Sequence, residues 1–291
     1  MEKSVNSYFS KLYKGQESSF EKRIHDIKNS NFDYVGIYLH KEKISMLEQN
    51  NICSKYGLKI CYIHSDYGNE KLLNNFWLDN NFGDEIEKSY TEQIKECVGV
   101  NCKNIVFHLC GSYNAQIGEI GLNRIKRLVT LCEKLNFNFC IENTFRPDKF
   151  KYIFDNIKSD NLKICFDAGH EFCLSPSAKI LEKFSDKVSC VHLHDNCGKV
   201  YSPSTHRPSA LSDQHKILGE GKINIDKLAK RLSLINSNIP LNMEFKTIKR
   251  IADSDGDFIN IDLGYNETIL KRVYLSLEKL ENKIIKYKKQ H

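Results

Sequence analysis

Short apolar runs alternate with longer amphipathic stretches along nearly the whole chain, and the alternation repeats eight times. Ser4 to Phe9 predicts a first strand, and Glu17 to Asn29 sets Phe20, Ile24 and Ile27 at helical spacing. Tyr34 to Leu39 follows as strand two. The next helix, Ile44 to Tyr56, stops at Gly57, the residue type that best tolerates the turn after a helix. Leu58 to Ile63 is strand three and runs into His64. Ser65 to Gly83 carries Asp66, Tyr67, several Asn and the only Trp, Trp77, and is expected to be a loop over one mouth of the fold rather than core. Helix Asp84 to Val98 then leads to strand Asn104 to Phe107, helix Gly118 to Leu135 to strand Phe137 to Ile141, and helix Lys149 to Ile157 to strand Leu162 to Phe166. Val188 to Leu193 is strand seven, Ile223 to Leu232 a helix, Pro240 to Met243 strand eight, and Asn266 to Lys286 a long closing helix. Eight β/α units with nearly continuous apolar strands imply parallel pairing under a helical coat. That is a single (β/α)8 TIM barrel, one domain over residues 1–291.

Composition adds exclusions. A hydrophobic fraction of 41% and a charged fraction of 27% suit a globular chain, and no run of eighteen apolar residues is present. Met1 to Gln16 mixes charge with aromatics and has no leader-like pattern, so the expected location is cytoplasmic, with no membrane partner. Of the eleven cysteines, Cys61, Cys140, Cys165 and Cys190 lie inside apolar runs, and no Cys-x-x-Cys pair occurs. They are expected to be buried, reduced core residues rather than a disulfide framework or a zinc cage. The net charge of +6 owes much to Lys279 to Lys289, whose lysines fit a solvated helix face.

The chemistry sits where the strands end. From strand three onward each one runs into His, Asp or Glu: His64, His108, Glu142, Asp167, His192 and Glu244. In a parallel barrel these ends converge on one mouth, where three carboxylates would repel one another and lose hydration. A divalent cation offsets both costs, and imidazoles complete a mixed nitrogen and oxygen site. His194 and Asp195 extend the group, and Asp213 and His215 follow about one loop later. A lone His at a strand end can equally be a hydrogen-bonded rim residue, but a carboxylate straight after a buried strand needs a partner. Arg146 and Arg207 fit either a substrate phosphate or carboxylate, or a surface ion pair. Gly219-x-Gly221 could seat phosphate on the following helix or simply make a turn. His40, His206, His25 and His291 are read as incidental.

The segments CIENTF, CFDAGHEF, VHLHDN with DQHKILGEGKINI, and NMEF resemble motifs of the xylose isomerase-like TIM barrels, particularly the sugar phosphate isomerase/epimerase group. The resemblance runs in order over nearly the whole chain. It implies a divalent metal (manganese, cobalt, magnesium or zinc) held by Glu142, Asp167, His192 and Glu244. The chain is also similar to the endonuclease IV enzymes of the same superfamily. Residues of the right type stand at all nine positions of that family's three-zinc site, adding His64, His108, His170, Asp213 and His215, and Tyr67 matches its tyrosine near the abasic site. Where that family carries an aromatic, Asn- and Arg-containing segment that engages DNA, this chain reads GIYLHKEKI.

Two chemistries follow. In an isomerase or epimerase of a sugar, polyol or sugar phosphate, the metal takes a carbonyl oxygen and its neighbouring hydroxyl and stabilises the enediolate formed by proton loss. Glu142 and Glu244 would remove and return the proton, with His170 polarising an oxygen. Tyr67, Arg146, His194, Arg207 and Lys246 are the candidate substrate-binding residues. In the alternative, a zinc-dependent AP endonuclease or phosphodiesterase with up to three zinc ions, a hydroxide attacks a phosphodiester, and nucleic acid becomes a partner. A barrel that binds sugar without turnover is a third reading. The absent DNA-engaging segment favours the isomerase or epimerase with a small-molecule sugar or polyol substrate, and leaves a homo-oligomer open.

Overall fold

The apolar runs become eight short strands whose chemistry-bearing ends all face one way: β1 (Lys3–Asn6), β2 (Tyr34–Tyr38), β3 (Lys59–His64), β4 (Asn104–Phe107), β5 (Asn138–Glu142), β6 (Leu162–Asp167), β7 (Val188–His192) and β8 (Leu241–Met243). The structure is a computed structural model and describes residues 1–111, 115–144, 147–174, 178–198, 212–252 and 258–290. The order is β8-β1-β2-β3-β4-β5-β6-β7, with every neighbouring pair parallel. The circle closes at Leu193, which bridges to Met243 in parallel. Two backbone bonds make that seam: Leu193 donates to the Asn242 carbonyl at 2.8 Å, and Glu244 donates to the Leu193 carbonyl at 2.9 Å.

The helical coat comprises α1 (Phe20–Asn29), α2 (Met46–Lys55), α3 (Asn81–Glu96), α4 (Glu119–Lys134), α5 (Pro147–Asn156), α6 (Ala168–Leu174), α7 (Ile180–Phe184), α8 (Ile225–Leu232) and α9 (Glu267–Lys288). Side chains fix several starts, because Ser19, Ser45, Asn80, Asn224 and Asn266 each accept a backbone N–H of the first turn. Gly57 has φ +70°, the conformation expected of it after α2.

Outward-facing strand residues such as Ile37, Ile105, Phe107, Ile141, Ile164 and Val191 pack under these helices and are fully buried. The barrel interior is different. Cys61, Cys140, Cys165 and Cys190 are buried and free there, packed with Tyr62 and Val106, as the sequence led us to expect. Burial pushes the Cys61 thiol up to about 11 and holds the other three well above the usual thiol range. Below the mouth, Ser4 Oγ donates to Asn242 Oδ1 at 2.9 Å and lies 3.0 Å from Cys61 Sγ, while Asn242 Nδ2 donates to the Tyr62 hydroxyl at 3.2 Å.

Two expectations are corrected. Ser65 to Gly83 is not a loop lying outside the core. It forms a 3-10 helix, Glu70–Trp77, whose Leu73, Phe76 and Trp77 are buried. The indole N–H donates to the Leu109 carbonyl at 2.7 Å, and the ring occupies the space that a side chain at Gly121 would fill. The first strand ends at Asn6, and Phe9 instead stacks on Phe245 at 5.1 Å. Three elements have no counterpart in the apolar pattern: the antiparallel pair Ile248–Ala252 with Phe258–Asp262 beyond β8, α6 and α7. Among the described residues no helix is long and apolar enough to cross a membrane.

Candidate metal centre

Glu142, Asp167 and His192 are the last residues of β5, β6 and β7, and Glu244 follows β8 directly. Parallel register therefore delivers all four to one level of the mouth, where one ligand atom from each lies within 4.8 Å of the others. His192 Nδ1 is 3.1 Å from Glu244 Oε2, 3.4 Å from Glu142 Oε2 and 3.9 Å from Asp167 Oδ2. The same Glu142 Oε2 is approached by His64 Nε2 at 3.3 Å and His108 Nε2 at 3.0 Å, and His64, Glu142 and His192 form a second possible ligand group. The Tyr67 ring stacks on His108 at 4.6 Å with an interplanar angle of 8°.

A third group, His170, His194, Asp213 and His215, joins the end of β6 to the loop that precedes α8. His215 Nε2 is 2.9 Å from Asp213 Oδ2, which is 3.6 Å from His170 Nε2. The His194 ring stacks on His215 at 4.0 Å, and its Nε2 is 3.0 Å from Asp167 Oδ1, so this group shares an edge with the first. His170 is fixed through its backbone, which donates to Asp167 Oδ1 at 2.6 Å.

The family profile described as xylose isomerase-like TIM barrel matches residues 24–260. The chain belongs to that family. Among curated relatives of this xylose isomerase-like barrel, an uncharacterized protein of Methanocaldococcus jannaschii is 30% identical over 166 residues, 53% of this chain and 60% of its own length. An uncharacterized protein of Sinorhizobium fredii is 25% identical over 120 residues, 39% of this chain and 35% of its own length. The matches thus span less than two thirds of those relatives. Among solved structures, D-psicose 3-epimerase with D-tagatose from Clostridium cellulolyticum has a TM-score of 0.70 at 14% identity, covering 98% of this chain and 99% of its own. An L-ribulose 3-epimerase has a TM-score of 0.70 at 14% identity and covers 97% of each chain. The IOLI protein with a bound zinc atom has a TM-score of 0.68 at 13% identity and covers 99% of each. These likenesses establish the fold.

The residues of this xylose isomerase-like barrel suit a divalent cation. Nε2 of His192 and Nδ1 of His194 are buried without a hydrogen-bond partner, and His192 Nδ1 faces the Glu244 and Glu142 oxygens without the alignment of a hydrogen bond, although buried polar atoms are normally paired. Burial disfavours an imidazolium at His192, yet Glu244 and Glu142 outweigh it and hold its pKa well above the usual range. At His170 burial is likewise overridden, by Asp167, Asp213 and Glu142. Conversely, burial would raise the carboxyl pKa values of Glu142, Glu244 and Asp213, but the neighbouring imidazoles hold all three well below normal. These buried carboxylates thus demand positive charge, which protons or a divalent ion can supply.

The structure also sorts the remaining candidates. Asp195 is no ligand. Its fully buried carboxylate accepts N–H bonds from Gly219 at 2.8 Å, Asn196 at 2.9 Å and Ile223 at 3.0 Å. The Gly219-x-Gly221 turn therefore wraps an anion of the chain's own, and a side chain at Gly221 would collide with Asp195. Lys246 donates its backbone N–H to the His215 carbonyl and lines a cavity of about 450 Å3 with Asp213, His215 and Phe245. His40 is exposed beside Glu96, consistent with an incidental role. Arg146, His206, Arg207 and His291 lie outside the described residues. Two supporting residues escaped the sequence reading. Tyr38 donates its hydroxyl to Glu244 Oε1 at 2.8 Å, and Asn143 clamps Asp167, donating to its carbonyl at 2.8 Å and accepting its N–H at 2.6 Å. For Asn143 the signal was available, since an Asn straight after a ligand carboxylate is placed to bridge to the next strand.

Proposed function

We propose that the protein is a divalent-metal-dependent isomerase or epimerase of a sugar, polyol or sugar phosphate. The observation that carries this reading is the buried Glu142, Asp167, His192 and Glu244 set at the mouth of a closed parallel barrel. Proteins named as D-psicose and L-ribulose 3-epimerases share that barrel over nearly all of this chain. When bound, a divalent cation supplies Lewis-acid stabilisation of negative charge developing on a substrate oxygen. Glu142 and Glu244 are held ionised and approach the same His192 nitrogen, so two carboxylate bases serve one small volume. One takes a proton from the carbon next to a carbonyl and the other returns it. Tyr38 anchors Glu244 Oε1 and leaves Oε2 for that work. His170 Nδ1, 3.1 Å from Glu142 Oε1, is placed to polarise an oxygen.

A second reading, a zinc-dependent phosphodiesterase of the AP endonuclease kind, is favoured by one observation, the His170, His194, Asp213 and His215 group beside the first. Elemental analysis of protein purified without chelator or added metal separates the two. About one metal per chain, with metal-dependent exchange of a carbon-bound proton of a ketose or polyol into deuterated water, is the expected outcome. Near three zinc ions per chain, with cleavage of abasic-site DNA and no proton exchange, would replace the first reading by the second.

A further inference from the structure

Asn6, the last residue of β1, is fully buried, and neither its amide nitrogen nor its amide oxygen has a hydrogen-bond partner. Its orientation follows from its neighbours. Ser4 faces the barrel interior, where it bonds Asn242 and contacts Cys61, so the two-residue alternation of a strand turns Asn6 inward as well, one layer nearer the mouth. The register Ser4 with Asn242 and Val5 with Met243 brings Asn6 beside Glu244, and on its other side it pairs with Gly36, which contributes no side chain. The Asn6 carboxamide therefore lies in the layer of the proposed ligands. It is as deeply enclosed as Asp167 and His192, which have no exposure either.

Asn242, one layer below, satisfies its amide through Ser4 and Tyr62, so the barrel interior can pair an amide where only the fold is at stake. A buried amide with both ends unpaired is destabilising, and natural chains keep such groups where something else completes them. Other unpaired buried atoms lie at the same mouth, on Ser65, Thr144, His192 and His194. A carboxamide sets N–H donors beside a C=O acceptor, which matches a hydroxyl that gives one hydrogen bond and takes another.

We propose that Asn6 is a substrate-binding residue that holds a sugar or polyol hydroxyl next to the reacting carbon, beside Glu244. This inference rests on the isomerase or epimerase reading and names a contact which that reading lacks. The test compares wild type, Asn6→Leu and, as a structural control, Asn242→Leu. In metal-free protein the Tm of Asn6→Leu should equal or exceed that of wild type, because an apolar group of similar size removes an unpaired amide, whereas Asn242→Leu should melt several degrees lower. In calorimetric titrations of manganese-loaded protein with D-fructose, D-tagatose and myo-inositol, Asn6→Leu should bind the tightest of the three about tenfold more weakly at unchanged manganese content. A fall in Tm like that of the control would show that the amide supports the fold, and wild-type affinity in Asn6→Leu would show that it touches no substrate. Either result overturns the proposal. Absence of manganese-dependent binding in the wild type itself would instead overturn the reading beneath it, and this inference with it.

Discussion

Replacing Asp195 by Ala tests whether the loop that carries Asp213 and His215 is held by one buried carboxylate. That carboxylate receives the Gly219, Asn196 and Ile223 N–H groups, and the Asp195 backbone exchanges two further bonds with Lys216, at 2.8 and 3.0 Å. Hydrogen bonds to a charged group contribute about 1.5–3 kcal/mol each. Gly219 is exposed and Ile223 half-buried, so water recovers part of the loss and the net cost should be about 3–4 kcal/mol. Unfolding entropy of about 2.1 cal/mol/K per residue gives roughly 0.6 kcal/mol/K for a chain of this length, so the Tm of metal-free Asp195→Ala should fall by about 5–7 °C. The second effect is local. With the loop released, Asp213 and His215 lose their placement, while Glu142, Asp167, His192 and Glu244 keep theirs. Melting followed by calorimetry and zinc titration followed by elemental analysis measure the two effects. A Tm within about 1 °C of wild type, with zinc binding unchanged, would refute the assignment of Asp195 as the loop's anchor.

Other consequences are equally open to measurement. A methyl group at Gly169 would occupy the space of the His194 ring, so Gly169→Ala should weaken zinc binding at the His170, His194, Asp213 and His215 group by about tenfold while the Glu142 group still loads, as read by stepwise zinc titration. Arg231 bonds the buried Glu171, which also accepts the Ile180 N–H at 3.0 Å; Arg231→Leu leaves that carboxylate without its cation and should cost about 3–5 kcal/mol, most of it regained in the double variant with Glu171→Leu. In metal-free protein the raised pKa of His192 contributes stability that is complete below its ordinary 6.5 and is lost as pH rises through the raised value. The lowered pKa values of Glu142 and Glu244 contribute stability present above their ordinary 4.5 and lost only in stronger acid. Denaturant melts of chelated protein should therefore show greatest stability between those values, and manganese binding should strengthen as pH rises and protons leave the imidazoles; a flat metal affinity from pH 5 to 8 would contradict this.

The barrel and the His, Asp and Glu cluster at its strand ends were legible because period and chemistry agreed. From the third strand onward, the residue that ended each apolar run was one that strands seldom end on without a partner. Trp77 was misread because its surroundings are rich in Asn and Asp, and the surface it packs against, a glycine and the Leu109 carbonyl, lies on distant parts of the chain. Asp195 was misread for a related reason. A carboxylate beside two histidines looks like a ligand, and only the returning backbone of Gly219 to Ile223 shows that its oxygens are already taken. Tyr38 carried no signal, since a tyrosine inside an apolar strand reads as core, and its hydroxyl meets Glu244 only because β8, from the far end of the chain, pairs with β1 beside β2.

The closure of that sheet has a mechanical side. β7 and β8 meet only around Leu193, through two backbone bonds, and His192 and Glu244 flank that join. This is the stave of the barrel easiest to pry loose, and breathing there parts two of the proposed metal-binding residues before any other pair of strands need move. Amides of Leu193 and Glu244 should accordingly be the seam's reporters in hydrogen exchange, and anything that clasps His192 to Glu244 acts as a hoop around the whole cylinder.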